Sequence, residues 1–456
     1  LSVVPGRRSI SPFIPERSTA VAMQQVSVGL VGLGTVGAGV ARLLTQHADR
    51  IARRAGRRID CKWAVVRDLK KPRDADFEGL RIVDDPRRVI DDPEVGVVVE
   101  LIGGVDAARR IVLDALAAGK HVVTANKALL AEHGPEIFAA AREADRAVAF
   151  EASSGGGVPI VNAINVGLAA NQVQSLAAIL NGTCNYILTQ MTQGGIAYAD
   201  ALAGAQALGY AEADPTMDVD GTDTAHKLAI LAQLAFGASV KTADIPREGI
   251  DRLELADLTY ARELGYTIKL LAHASLADGA LELRVAPTLV RRDAPLAQVH
   301  GPYNAVRVVG DAVGDTLFYG RGAGMMPTAS AVVADLIDVV AGRAILTSRV
   351  LDFWSPTAPP VPLLPESRSR RRNYLRFTIA DRPGVVAALA QILGDRGISI
   401  ASVIQHEPGD ADDDAAPVPL VIMTHSAVEE HLRDAIREID RLDVVRAPSV
   451  RLVVEG

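Results

Sequence analysis

Aromatic residues are scarce in this 456-residue chain: phenylalanine, tryptophan and tyrosine together make up 4%. Proteins that hold single-stranded nucleic acid stack bases on such rings, so that class is disfavoured from the outset. Positive charge is not in surplus either. The chain carries 48 basic and 55 acidic residues, a net charge of −7, whereas a dedicated nucleic-acid binder shows the opposite sign. Two cysteines, Cys61 and Cys184, cannot build a disulfide framework or a four-ligand zinc site. Both lie in apolar surroundings and read as small buried hydrophobes, not reactive thiols. No long hydrophobic run exists. The longest mostly apolar stretch, residues 228–240, falls short of the roughly 20 residues a membrane span needs, so no membrane partner is expected. Residues 1–23 read as a disordered extension whose Pro, Ser and Arg content lacks the apolar core of a secretory signal. A strand follows Met23 at once, which makes Met23 the expected translation start and the cytoplasm the expected compartment. Lysine is the last scarcity, with eight among the 48 basic residues. Base composition of the genome accounts for that skew, yet it makes each lysine worth locating.

What is present suits an α/β protein of about three domains, 49% apolar and 23% charged. Residues 26–31 form an apolar run of strand type and lead directly into Gly32-Leu33-Gly34-Thr35-Val36-Gly37, after which 38–47 reads as a helix. This is GxGxxG in its required context. The first glycine permits the tight turn, the second lets backbone approach a pyrophosphate, and the third lets helix and strand pack closely. The next strand, 61–66, ends in Arg67-Asp68. An acid there suits a ribose 2′-hydroxyl and an arginine a 2′-phosphate. Arg67 comes first, and Lys70, Lys71 and Arg73 follow, so the balance leans to NADP over NAD, with solvated loop charge as the plain alternative. Strands at 95–101 (ending at Gly103-Gly104) and 121–124 flank a helix at 107–118, which argues a parallel, doubly wound sheet. Ligands of such sheets lie beyond the carboxyl ends of the strands, where Thr124-Ala125-Asn126-Lys127 sits.

The middle of the chain holds two further segments. Residues 180–186, LNGTCNY, form a turn opening a helix and crowd several hydrogen-bonding side chains together. Residues 209–223 place five carboxylates (Glu212, Asp214, Asp218, Asp220 and Asp223) just before a helix at 224–236. Asp223 and Lys227 are four apart and share one helical face. Such a pair is common on solvated helices, but this helix is otherwise Ala, Leu and Ile, and a buried lysine needs partners. The acid spacing does not fit an EF-hand, which wants Gly at its sixth position and Glu at its twelfth.

With these segments in view the chain resembles the homoserine dehydrogenases. The matching stretches are GLGTVG at 32–37, TANK at 124–127, FEASSGGGVPI at 150–160, LNGTCNYIL at 180–188, GYAEADPTMDVDGTDTAHK at 209–227 and GRGAGMMPTASAVVAD at 320–335. The resemblance implies NAD(P)-dependent interconversion of aspartate 4-semialdehyde and homoserine, a step toward threonine, methionine and isoleucine. It implies Lys227 as proton donor, Lys127 near nicotinamide and substrate, and Glu212, Asp218 and Asp223 on the substrate, with Glu212 and Asp223 also ordering the lysines. Cofactor contacts would come from residues 32–37, Arg67, Gly103, Lys127, Gly209 and Gly324. A monovalent cation such as sodium would sit at Glu151, Ser154, Gly156 and Val158, with Ser154 standing where a small apolar residue is usual. The chemistry is coherent: hydride delivery to a carbonyl creates oxyanion charge that an ammonium can stabilise and protonate. His226 reads as packing or solvent-facing. The helix at 328–340 is expected to return to the nucleotide-binding unit.

Five prolines between 356 and 365 and four arginines between 368 and 372 mark a solvated linker. Beyond it, strands at 374–380, 398–406, 417–424 and 443–454 with helices at 384–396 and 426–439 give a βαββαβ unit that resembles an ACT domain. In the family such a tail binds an end product, which implies threonine as effector, with Gln405 and residues 381–385 as contacts and a homodimer or homotetramer as the assembly. An acidic stretch at 409–416 reads as a loop. The expected division is therefore a Rossmann unit at 24–152 plus 321–350, an α+β catalytic and dimerisation unit at 153–320, a linker at 351–373 and the ACT unit at 374–456. Another ACT-tailed dehydrogenase acting on a hydroxy acid would centre on a histidine–carboxylate pair, whereas these segments centre on lysines. A catalytically dead sensor would not need Lys127, Glu212, Asp223 and Lys227 intact.

Overall fold

A computed structural model describes residues 24–71, 79–406 and 417–455. Met23, Arg73 and the 409–416 stretch fall outside them. The α/β architecture rests on two sheets. The first contains β1 (Gln25–Val31), β2 (Arg58–Val65), β3 (Arg81–Val83), β4 (Val95–Glu100), β5 (His121–Thr124) and β6 (Val148–Ala149), all parallel, in the order β3-β2-β1-β4-β5-β6. This order reverses between β1 and β4, the switch point where doubly wound folds hold dinucleotides. Both faces are covered, as a near-continuous valine strand demands. Val97 and Val99 of β4 join the core under helix Thr35–Gln46, while Val95 and Val98 join the core under helix Asp106–Ala117.

The Thr35–Gln46 helix begins three residues earlier than the sequence pattern suggests, because the glycine loop itself supplies the first turn. Helix Met325–Val340 packs against it, as expected for a segment returning from the far side of the catalytic unit. Gly39 makes that approach possible: a Cβ there would lie 2.9 Å from Met325 Cγ and 3.0 Å from Ala329 Cβ. Among the described residues, no helix is long and apolar enough to cross a membrane.

The second sheet has ten strands. Its catalytic part is β7 (Val173–Ile179), β8 (Tyr266–Ala277), β9 (Ala280–Arg291), β10 (Tyr303–Gly310) and β11 (Gly314–Arg321). The C-terminal unit adds β12 (Arg370–Ala380), β13 (Ile400–Gln405), β14 (Pro417–Thr424), the short β15 (Ala427–Val428) and β16 (Val445–Val454). The order is β11-β10-β7-β8-β9-β16-β12-β14-β13, with β15 beside β12. The C-terminal unit is thus no separate sensor on a solvated tether. Val453 and Val454 of β16 pair in parallel with Thr288 and Leu289 of β9, so one sheet runs through both units.

The arginine run also needs correction. Arg370, Arg371 and Arg372 begin β12, and Arg371 is buried with its Nε donating to Glu282 Oε1 at 2.7 Å. Local composition reads as linker there because the partner carboxylate lies far away in sequence. The start of the supposed linker is docked too. Trp354 stacks on Phe138 with ring centroids 4.7 Å apart, and both Phe353 and Trp354 are buried.

A second seam is stronger. Asp257, fully buried, accepts from Arg376 at Nε (2.6 Å) and Nη2 (3.1 Å) and from the Tyr374 hydroxyl at 3.1 Å. Removing one member of a buried pair strands the other charge, at a cost of about 3–5 kcal/mol. Asp257→Ala should therefore lower the unfolding free energy by that order, read as a lower denaturant midpoint. A midpoint unchanged from wild type would show that the seam is not holding the units together.

Candidate active site

The glycine loop fits a dinucleotide. Gly32 has φ +110° and a Cβ there would strike the Leu101 carbonyl oxygen at 2.7 Å; a Cβ on Gly37 would meet the Gly32 oxygen at 2.2 Å. Gly34 faces open space, so backbone is bare where a pyrophosphate would lie. The helix it caps has no acidic residue in its first turn and no side-chain cap, leaving its N–H groups and dipole available to an anion. Leu33 is buried beneath the loop, and Thr35 and Val36 form the first helical turn. Arg67 lies two residues past the end of β2 and is exposed, while Asp68 accepts the Lys70 backbone N–H at 2.8 Å.

Two residues beyond the sequence expectations organise the next strand ends. Glu100 closes the valine strand β4 and is completely buried. It accepts from Thr124 Oγ1 at 2.5 Å and from the Ile102 N–H at 2.8 Å. Asn126 donates to the Gly104 carbonyl at 2.7 Å and caps helix Lys127–Ala144 by accepting from the Leu129 N–H at 3.1 Å. Glu100 and Asn126 thereby fix where Lys127 begins its helix. The signal for Glu100 was available: a carboxylate ending an otherwise all-apolar strand must have partners.

Lys127 reaches across to the second unit. Its Nζ lies 3.1 Å from Asp223 Oδ1, and Lys227 Nζ donates to Asp223 Oδ2 at 2.7 Å and to the Leu180 carbonyl at 2.7 Å. One carboxylate thus joins two ammonium groups from two elements, of which the i,i+4 spacing implies only the Lys227 half. Asn181, N-cap of helix Gly182–Gly194, donates to Asp218 Oδ1 at 2.8 Å and Asp223 Oδ2 at 3.0 Å. Burial alone would raise the Asp223 pKa. The charges of Lys227 and Lys127 and the hydrogen bonds from Lys227 and Asn181 outweigh it and hold the carboxyl well below the usual range. Asp218 shifts upward instead, because burial dominates and Asp223 repels it. Asn304, which no local pattern singles out, supports the same carbonyl by donating to Leu180 O at 2.9 Å. A Cβ on Gly322 would overlap the Asn304 amide, so the loop leading to Gly324 passes directly over it.

Other expected residues fall elsewhere. Glu212 is exposed on the turn after helix Tyr198–Ala207; its backbone carbonyl accepts from Gln206, and no contact joins its side chain to either lysine. Gly209 turns the chain with φ +74°. His226 is buried with Nδ1 unpartnered, and burial followed by the Lys127 charge lowers its pKa, which makes it a neutral packing residue. Cys184 is fully buried with Sγ against the Asp218 carbonyl at 3.2 Å, and burial pushes the half-buried Cys61 thiol up to about 12, so neither is a reactive thiolate. At the cation positions, Glu151 is buried and its two oxygens accept from the Val161 and Asn162 N–H groups at 2.9 and 2.8 Å. Val158 and Gly156 offer carbonyls, and Ser154 Oγ is buried without a partner. The Val158 carbonyl accepts from the Ile160 N–H at 2.8 Å, and a second buried carboxylate, Asp335, accepts from the Glu151 N–H at 2.8 Å; among the described residues no group of three or more His, Cys, Asp and Glu side chains could hold a metal.

Comparison with known proteins gives the same picture. The homoserine dehydrogenase family matches residues 159–337, its NAD-binding domain residues 32–151, and the ACT domain family residues 373–444. The chain belongs to the homoserine dehydrogenase family. A homoserine dehydrogenase of Pseudomonas aeruginosa is 49% identical over 95% of this chain and 99% of its own. That of Bacillus subtilis is 39% identical over 95% and 99%. Among solved structures, a homoserine dehydrogenase from Thiobacillus denitrificans superposes with a TM-score of 0.86 at 46% identity, covering 95% of this chain and 99% of that one. A hyperthermophilic archaeal homoserine dehydrogenase in complex with NADPH shares the fold, with a TM-score of 0.58 at 24% identity over 69% of this chain and 98% of that one. The chain is thus an oxidoreductase of this family with an NAD(P)-binding domain and an ACT domain, and the lysine–carboxylate cluster lies where that domain meets the catalytic one.

Burial raises the Glu100 carboxyl to about 7 against the lowering effect of its hydrogen bonds. The folded chain therefore keeps a proton that the unfolded chain releases near the ordinary value of about 4.3. Stability from this group is full below that value and is lost as pH rises toward 7. Glu100→Gln, a mimic of the protonated acid, should flatten the fall in melting temperature between pH 5 and pH 7 relative to wild type. Parallel pH curves for the two proteins would contradict the assignment.

Proposed function

We propose that the chain reduces L-aspartate 4-semialdehyde reversibly to L-homoserine, with NADPH as the preferred hydride donor and Lys227 as proton donor. The observation that carries this is the donor count at Lys227. An ammonium has three N–H donors; one serves Leu180 O and one serves Asp223 Oδ2, which leaves one aimed by the other two. When bound, the nicotinamide supplies hydride to the aldehyde carbon. The carbonyl oxygen gains negative charge, and the remaining N–H of Lys227 stabilises it and then delivers its proton. Asp223 holds both ammonium groups in place. Lys127, the more exposed of the two at 36% side-chain exposure against 12%, faces substrate and cofactor. Asp218 and Asp223 offer negative charge to the substrate's α-ammonium group. Glu212 enters this scheme as a substrate contact from an exposed turn, not as a partner of the lysines.

NADP is favoured over NAD because Arg67 stands exposed just past the end of β2 with Lys70 beyond it, and Gly103, Gly209 and Gly324 are read as further cofactor contacts. A monovalent cation such as sodium would be held by the Glu151 carboxylate and by oxygens of Ser154, Gly156 and Val158. Threonine is the proposed effector, making this a regulated step of amino-acid biosynthesis. Its support is the approach of Gln405 to the 381–385 turn, where Nε2 donates to Asp381 Oδ1 at 3.1 Å beside the bare N-terminus of helix Val385–Asp395. A homodimer or homotetramer in the cytoplasm completes the reading, supported by the open β11 edge with exposed Leu317 and Tyr319 and by two unpaired thiols.

Lys227→Ala should lower kcat by roughly 100- to 10,000-fold while the NADPH dissociation constant holds; a near-normal kcat would remove Lys227 from the proton-donor role. NADPH and NADH oxidation assays with aspartate semialdehyde test the reaction and the cofactor together, and turnover with neither would end the reading. Threonine should inhibit the full-length enzyme, and Gln405→Ala should raise its inhibition constant by at least about tenfold, the loss of a charge-assisted hydrogen bond. Equal sensitivity would place the effector elsewhere.

A further inference from the structure

Between the catalytic domain and β16 lies a cavity of about 570 Å³ that contains neither active-site lysine. One wall is the 247–253 segment, the other is β16 around Arg451. Arg451 pairs with Glu248 and Glu429. Among the described residues, the side chains of Arg247, Asp251 and Arg252 have no hydrogen-bond or ion-pair partner; all three are exposed and line the same cavity. Asp220 closes the floor, its carboxylate ordered by the Thr222 N–H and hydroxyl at 2.8 and 2.9 Å. Two uncommitted guanidinium groups and a carboxylate left free beside them present both signs of charge within one enclosed space.

The wall is tightly geared to the active site. The Ile250 N–H donates to the Val219 carbonyl at 2.8 Å, and a Cβ on Gly249 would lie 2.3 Å from that same oxygen. The Glu248 N–H donates to the Val285 carbonyl at 2.8 Å, which anchors the segment to β9. Gly221, at φ +85°, sits under Val285 and the Arg247 side chain. From there the chain turns into helix Thr222–Phe236 and reaches Asp223 two residues later. Anything that shifts the 247–252 backbone presses on the residues between Asp218 and Asp223.

We propose that this cavity binds a small zwitterion of the α-amino acid class and that its occupancy tunes the lysine–carboxylate cluster. The ligand carboxylate meets Arg247 and Arg252, whose planar forks suit bidentate binding. Its ammonium group meets Asp251 or Asp220. A simple anion would leave these carboxylates repelled, and a simple cation would leave the arginines unmatched, so charge complementarity selects the zwitterion. This site is separate from the 381–385 turn and does not depend on threonine acting there.

The test is a thermal-shift panel of the twenty common L-amino acids, each at millimolar concentration, on the full-length chain. It is run on wild type, on the Arg247→Ala/Arg252→Ala double variant and on Gln405→Ala; the substituted arginines are exposed, so folding is preserved. At least one amino acid should raise the wild-type and Gln405→Ala melting temperatures, fail to raise that of the double variant, and change KM for aspartate semialdehyde only where it binds. A shift that survives in the double variant and vanishes in Gln405→Ala would assign all binding to the 381–385 turn and overturn the proposal. No shift from any amino acid, or a shift retained in every protein, would overturn it as well. Threonine inhibition is read in the turnover assay, so its failure is visible independently of this result.

Discussion

A single carboxylate, Asp223, is shared by two ammonium groups that arrive from different units. Lys127 comes from the strand ends of the nucleotide-binding sheet and Lys227 from a helix beside the second sheet. Placing a carboxylate in so buried a position is unfavourable by itself, and only the paired charges make it tolerable. Relative displacement of the two units would leave Asp223 with one partner and a buried residual charge. The cluster is therefore both the proposed chemical centre and a penalty against misplacing one domain on the other. Much of the surrounding architecture can be understood as keeping that three-body contact in register: Glu100 and Asn126 on one side, Asn181 and Asn304 on the other.

The same logic recurs at the regulatory end. Asp257 with Arg376, Glu282 with Arg371, and Glu248 with Arg451 place buried or half-buried carboxylate–guanidinium pairs along the seam between catalytic and C-terminal units. Apolar residues of matching volume would hold the two units together at least as well. Charged pairs add orientation, since a guanidinium fork tolerates little rotation against a carboxylate. Combined with the β9–β16 pairing, they fix the angle of the C-terminal unit, and a fixed angle lets a local change on that unit be felt at the 247–253 segment.

Much of this was legible from residues near one another in the chain. GxGxxG after a strand located the cofactor loop, and the i,i+4 spacing of Asp223 and Lys227 located half the cluster. Strand-end reasoning put Lys127 on the right edge of the sheet, though nothing local said it would meet Asp223. Lysine scarcity was an imperfect guide. Lys269 is as rare and more deeply buried, yet it donates to Asn185 Oδ1 and lies against the Val299 carbonyl, with burial lowering its pKa to about 8. Its surroundings pin a strand to a loop. What escaped were contacts distant in sequence: Asn304 under Leu180, Glu282 awaiting Arg371, and β16 joining β9. A proline-rich stretch followed by arginines has the composition of a tether, and only the partner carboxylates turn its second half into a buried strand.

The continuous sheet also changes what the C-terminal unit can be. A sensor on a flexible tether would influence the active site only through its own encounters with it, and removing the unit would leave the enzyme intact. Here removal would uncover the β9 edge, leave Asp257 without its guanidinium partner and leave Glu282 with Arg284 alone. Exposed edges invite pairing with other chains, and an unpaired buried carboxylate destabilises the catalytic unit itself. The regulatory unit is thus structural as well, which means ligand effects must be sought through substitutions within the full chain. It also places the two candidate ligand positions at unequal mechanical advantage. The 381–385 turn lies at the outer end of β12, whereas the 247–253 segment touches Val219 directly, a few residues before Asp223. Of the two, the inner position is the one in direct contact with the segment that leads into Asp223.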